Sequence, residues 1–151
     1  MTKIATIYDA IADIVETSLP GYTRLPNPYE VDENIYLYLQ KGYGIAIGPG
    51  FDTERYVGCL VSWERTFSIM IIHQLTTTQN NISTRETIEK SILDDHDVLR
   101  KAFYLNSHLN QNAIKSTIIS DNGISFIVAD SLKFIGLEMV LSVEYQEDPN
   151  D

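Results

Sequence analysis

Ile4, Ile7, Tyr8, Ile11, Ile14 and Val15 recur at helical spacing while Asp9, Asp13 and Glu16 fall away from that stripe, which predicts an amphipathic helix with one core face. Thr2 stands where a hydroxyl caps the first turn, and Pro20-Gly21 stops the helix. Tyr22 to Asn34, with Pro20, Pro26 and Pro28 in or beside it, reads as an extended, irregular connection. Two readings stay open after it. Either Asp32 caps a short helical turn through Tyr36 to Leu39, or Ile35, Leu37 and Leu39 alternate as in a strand.

From Gly42 to Gly50 a short apolar strand is bracketed by glycines, and Phe51 to Tyr56 follows as a loop. Val61, Trp63, Arg65, Phe67, Ile69 and Ile71 then alternate with polar residues, predicting a long strand with one face to the core. Arg65 interrupts the apolar series, and its guanidinium has two destinations: solvent, or a carboxylate across a subunit contact. Met70 and Ile72 make this end apolar on both faces, which places it beneath another layer. Thr76 to Asn81 is a polar loop. Ser83-Thr84-Arg85-Glu86 spells a capping box, and Ile88, Ile92, Leu99 and Phe103 mark the apolar side of the helix it opens. Glu86 with Lys90 and Asp97 with Lys101 are favourable pairs four residues apart. Asp95 falls on the apolar stripe, so the helix bends there, with Asp94 capping a second segment, or Asp95 meets a partner distant in sequence.

Asn106 to Asn112 reads as a loop. Ile114 to Asp121 and Ile124 to Val128 read as strands, joined at Asp121-Asn122-Gly123, whose residues tolerate the positive φ of a hairpin turn. The final strand sets Ile135, Leu137, Met139, Leu141, Val143 and Tyr145 on one face. Helices and strands in separate runs give an α+β fold, and 151 residues form one domain, 1–151, able to remove roughly 70% of its unfolded surface from water without a metal or disulfide staple.

Charge narrows the partners. Eleven Lys and Arg against 21 Asp and Glu give a net charge of −10, which opposes sequence-specific or tight nucleic-acid binding, since phosphate contacts need cations. The first helix carries acids on its polar side, unlike a membrane-surface helix, and no stretch is apolar for long enough to span a bilayer. A lone Cys59 and an N-terminus without a signal-peptide pattern predict a reducing, cytoplasmic setting. Asn81-Ile82-Ser83, which matches a glycosylation acceptor, is then a chance match.

Candidate chemistry is sparse. The glycines at 42–50 lack the following helix and the Lys-Ser/Thr pair of a phosphate loop. His73, His96 and His108 lie far apart, with no ligand spacing to Cys59. Asp94-Asp95-His96-Asp97 is dense, but a helix points four consecutive side chains in different directions, as on a solvated face. No serine sits in a nucleophile elbow. The sequence therefore predicts no catalytic residue, metal or cofactor, and no enzyme.

The order of helix, Pro-rich connector, glycine-flanked strand, long strand through Trp63 to Ile71, capped helix, Asp-Asn-Gly turn and long final strand resembles the tail terminator proteins of long-tailed bacteriophages. These form the lambda-like family, also called tail completion or head-tail joining proteins. The resemblance covers nearly the whole chain as an arrangement of elements. It implies a mixed, mainly antiparallel β-sheet with two main α-helices packed on it. It also implies a virion structural protein of the viral tail, assembled in the host cytoplasm, that caps the tail tube as a homohexamer ring and stops tube polymerisation. In that setting the partners are other copies of the chain, the tail tube protein and a head-completion or neck protein, and DNA passes through the lumen.

Carboxylates lining such a lumen repel phosphate and let DNA slide. Candidates are Asp94, Asp95, Asp97, Glu144, Glu147 and Asp148, all equally explained by solubility. Candidate interface residues are Tyr29, Tyr36, Tyr38, Phe51, Tyr56 and Arg65, because interfaces favour amphipathic aromatics and arginine. The alternative is a small acidic cytoplasmic binding protein, of inhibitor or immunity type, steered onto a basic partner. An enzyme built on His96 and nearby carboxylates is the third reading.

Overall fold

The computed structural model describes residues 2–25, 39–57, 60–75, 82–129 and 132–148; the side chains of 52–57, 82–84, 129 and 132 are outside the description. Its elements are α1 (Lys3–Ser18), β1 (Thr23–Arg24), β2 (Lys41–Val57), β3 (Leu60–Leu75), α2 (Ile82–Leu105), β4 (Lys115–Ala129) and β5 (Leu132–Glu147). The sheet order is β1-β2-β3-β5-β4. Among the described strands only the β1/β2 pair is parallel. The fold is thus α+β, with a mixed, mainly antiparallel sheet and two helices on it.

α1 forms as its stripe predicts. Thr2 Oγ1 accepts from the Ala5 amide at 3.3 Å, and Ile7, Ile11, Ile14 and Val15 are buried. α2 is continuous through Asp94 and Asp95, so Asp94 does not cap a second segment. It begins at Ile82, one residue before Ser83, so Ser83 lies inside the first turn. Ile92, Leu99 and Phe103 of α2 join α1 over Phe67, Ile69 and Ile71 of β3 and Leu137, Met139, Leu141 and Val143 of β5. Burying side chains of this size stabilises the fold by roughly 1.5–3 kcal/mol each. Both helices therefore cover one face of the sheet.

The opposite face is apolar at one end only. Met70, Ile72 and Phe134 form a second cluster there with Leu25, and Leu39 and Ile127 pack on it. This is the layer that Met70 and Ile72 called for. A Cβ on Gly42 would stand 2.8 Å from Leu25 Cδ1, so a larger residue there would make the leucine tip shift. Further along, the same face carries Glu64, Thr66, Ser68, Ser142 and Glu144, with Ser142 Oγ donating to Glu64 Oε1 at 2.5 Å.

Two expectations fail. Phe51 to Tyr56 is not a loop: β2 continues to Val57 and pairs with β3 as far as Val57 and Leu60. A ladder with β3 supplies what this charged, polar stretch lacks in intrinsic preference. Nor is Asp121-Asn122-Gly123 a hairpin turn. β4 passes straight through it as a register shift between Asp121 and Ile124, with Gly123 at φ +72°. The positive φ that Gly123 favours is present, but it serves a bulge. β4 and β5 pair to Ala129 and Leu132, so the chain reverses between those two residues.

The polar run after Asn106 is a left-handed turn, with Leu109, Asn110 and Gln111 at φ 49°, 57° and 69°. Such angles cost non-glycine residues about 1–2 kcal/mol each. Complete burial of Leu109 and the bond from the Asn110 amide to Asn106 Oδ1, 3.0 Å, offset that cost.

Candidate functional site

Asp95 meets its partners across the fold. Tyr22, just before β1, donates its hydroxyl proton to Asp95 Oδ2 at 2.7 Å and also touches His73 Nε2. His73 Nε2 lies 3.4 Å from the same carboxylate oxygen, and Lys41 Nζ lies 3.7 Å from it. A tyrosine hydroxyl has one proton and an ionised carboxylate has none. With that proton given to Asp95, Nε2–H of His73 must donate to the Tyr22 oxygen, which fixes the histidine tautomer. The cluster ties β2, β3, α2 and the end of the α1–β1 connection together. It is a clamp in which the Tyr22 hydroxyl and His73 Nε2 are partnered within the fold and Lys41 faces partly to solvent.

Electrostatics agree with the geometry. Burial, then the Asp95 carboxylate, pushes the Tyr22 hydroxyl far above its ordinary value. Burial, then the Lys41 ammonium, holds His73 below the usual histidine range against the opposite pull of Asp95. His96 is also lowered, chiefly by burial, and its Nε2 has no hydrogen-bond partner.

A histidine whose folded pKa is lowered binds its proton more readily in the unfolded chain. Its neutral form supports folding above the ordinary histidine pKa, and stability falls as pH drops through that value towards the folded one. Urea midpoints measured from about pH 8 to about pH 5 are expected to decline. His96→Leu, which removes an unpartnered buried nitrogen, should lessen the decline; an unchanged slope would assign it to other groups.

Exposed apolar residues occur in two places among the described residues, on α2 at Leu93, Val98, Tyr104 and Leu105 and on or beside the strands β2 and β4. On β4, Ile119, Phe126 and Val128 are 55%, 50% and 64% exposed; on β2, Ile47 and Phe51 are 53% and 54% exposed. β4 is the outermost strand on its side. On the other side β1 pairs only with Gly42 and Tyr43 of β2, leaving the rest of β2 without a described partner on that edge. Soluble proteins protect such edges or use them. Sequence periodicity marks these residues as strand-forming, but the position of a strand at the rim is a tertiary property.

Arg65 lies beside the β2 edge. Its Nη1 donates to the Gly48 carbonyl at 3.1 Å, and the guanidinium covers Gly50, where a Cβ would stand 2.7 Å from Cζ. Nε is buried without a hydrogen-bond partner, and among the described residues no carboxylate pairs with the side chain. Phe51 is exposed near it on β2. Tyr56 also falls in β2, with its side chain outside those described, and Tyr29, Tyr36 and Tyr38 lie outside the described residues.

The candidate lumen acids do not share one surface. Asp95 is turned into the clamp. Asp97, on α2, is held below the usual carboxylate range by Lys101 and Arg100, with Lys101 Nζ at 2.6 Å. Asp94 is exposed on the helical layer. Glu144 lies across the sheet, opposite Glu64 on the face away from the helices, and Glu147 and Asp148 close the described chain beside it.

Among the described residues no group of three His, Cys, Asp or Glu side chains converges on a metal position. Neither of two surface depressions, one beside Thr2, Thr6 and Gln146 and one beside Asp13, Thr17 and Asn106, is lined by a histidine. No described helix is long and apolar enough to cross a membrane.

No protein-family model and no curated protein matches the chain. Among solved structures, a chain from the virion of a native gene transfer agent particle is similar over 93% of this chain and 92% of that one. It has 12% sequence identity and a TM-score of 0.29.

Proposed function

We propose that the chain is a virion structural protein of the tail terminator type: a subunit that forms a ring on the end of the tail tube, stops its polymerisation and offers a surface to the head or neck. The observation that carries this reading is the exposed apolar side chains at the two sides of the sheet, Ile119, Phe126 and Val128 on β4 and Ile47 and Phe51 on the part of β2 beyond β1. Water-exposed apolar edges are a liability for a monomer and a resource for an assembling subunit. The order of elements, a helix followed by a β-hairpin, a second helix and a final antiparallel pair, supports the resemblance drawn from the sequence.

In this reading the partners are further copies of the chain, most simply six, together with the tail tube protein and a head-completion protein. Assembly takes place in the host cytoplasm, and the ring ends in the virion tail. No bond is made or broken, so the subunit is not an enzyme. DNA passes through the opening without being held, because a chain of net charge −10 repels phosphate. Of the candidate acids, Asp95 and Asp97 add least to that field, since neighbouring cations offset them.

Tube length tests the reading. Tail tube protein polymerised with increasing amounts of this chain is expected to give progressively shorter tubes, because each capped end stops growing. Tubes whose length ignores the added protein would overturn it.

A further inference from the structure

We infer that His96 is a proton-operated release for the second half of α2. While its ring is neutral, residues 97–105 stay seated on the sheet. Once the ring is protonated that stretch lets go and uncovers Leu99 and Phe103, while α1 and the strands stay folded. This property goes beyond the capping role and holds whether or not the chain caps tubes. It starts from the anchor stripe of the helix. Among the described residues of α2 the buried ones are Ile92, His96, Leu99 and Phe103, spaced four, three and four apart along one helical face. One of these anchors is therefore ionisable, at 7% exposure. α1 is anchored by Ile7, Ala10, Ile11, Ala12, Ile14 and Val15, none of which takes up a proton.

The two halves of α2 are fixed differently. In the first half Arg85 stacks on the Phe126 ring of β4, with Cζ 4.2 Å from the ring centre, and pairs with Glu89. At the middle Asp95 is bound into the clamp with Tyr22 and Lys41. Beyond Asp95 the buried side chains of the helix are His96, Leu99 and Phe103. The described ion pairs there, Asp97 with Arg100 and Lys101, run within the helix and tie it to no strand. Proteins open locally in units set by such differences in anchoring, so the clamp marks where the opening stops.

Protonation makes the seated position unfavourable. An imidazolium carries N–H on both nitrogens whichever tautomer it came from, and His96 Nε2 is buried with no hydrogen-bond partner. The cation therefore strands a charged donor away from water, which a core tolerates poorly. The charged groups that face the ring are Asp121 from β4 and Asp97 and Arg100 from α2 itself. Asp97 is already engaged by Arg100 and Lys101, and Arg100 repels a cation. The exposed Asp121 accepts only the Gly123 amide among the described hydrogen bonds. β3 and β5 offer apolar side chains to the helices, Ile69, Ile71, Leu137 and Met139 among them, and His73 of β3 is engaged with Tyr22. A released ring, in water, binds its proton at the ordinary histidine value. Opening therefore gains as pH falls through that value, and stops gaining below the lower value of the seated ring.

Amide hydrogen exchange of the full chain tests the release. Between about pH 7 and about pH 5, protection of residues 97–105, corrected for the intrinsic pH dependence of exchange, is expected to fall roughly tenfold or more, since one proton contributes up to about tenfold per pH unit. The amides of α1 should keep their protection over the same range. His96→Gln, which stays polar and takes up no proton, should flatten the pH dependence of 97–105 whatever level of protection it sets. Protection of 97–105 that ignores pH in the native chain overturns the release. So does a fall shared equally by α1, which is unfolding of the whole domain, and so does an undiminished pH dependence in His96→Gln. Protection that rises in acid would show Asp121 closing on the imidazolium and overturns it as well.

Discussion

Phe67→Ala is expected to lower the unfolding free energy by about 4 kcal/mol, the cost of an aromatic cavity in a core that cannot fully collapse. Phe67 is completely buried in the middle of β3, between Ile47 of β2 and Leu141 of β5, and faces the helices. Folded domains are stable by only about 5–15 kcal/mol, so the variant should sit near the edge of folding. Phe67→Leu keeps most of the volume and should recover more than half of the loss. Urea denaturation with an unchanged m-value checks both; a cost near zero would mean that the helices do not close over this row.

The second large effect is expected at the clamp. Asp95→Ala leaves the Tyr22 hydroxyl without its acceptor and Lys41 without this ion-pair partner. Stranding buried donors costs about 2 kcal/mol, which for a chain of this size corresponds to a melting temperature roughly 4–8 °C lower. Asp95→Asn keeps one carbonyl acceptor and should lose less. Thermal melts of the two variants, compared with Asp94→Ala as an exposed neighbour, decide the matter. Equal melting of all three would show that Asp95 is an ordinary surface carboxylate.

The clamp also marks how far local sequence reaches. Asp95 betrayed itself by standing on an apolar stripe, so the need for a partner was legible. Its partners were not, because Tyr22, Lys41 and His73 lie on three other segments and no spacing rule joins them. Elements with strong periodicity were legible too: α1, β3, the buried face of α2 and β5 are where their patterns put them.

β2 was cut short because Gly48, Pro49 and Gly50 followed by charged residues carry turn chemistry, while the strand is held by pairing with β3 that no local window contains. Asp121-Asn122-Gly123 failed for a different reason. Its residues specify a positive φ, and that angle is shared by a turn and a bulge; the choice is made by β5, which runs alongside the whole of β4. The apolar residues of β4 were likewise visible as strand formers. Their exposure follows from strand order, which places β4 at the rim.

The proposed role is that of a subunit that caps a tube. The most direct measurement is electron microscopy of tail tube ends after incubation with the protein. The account predicts a closed ring of this chain seated on one end of each tube, with six-fold averages. Bare tube ends, with the protein remaining as single subunits in the background, would contradict it.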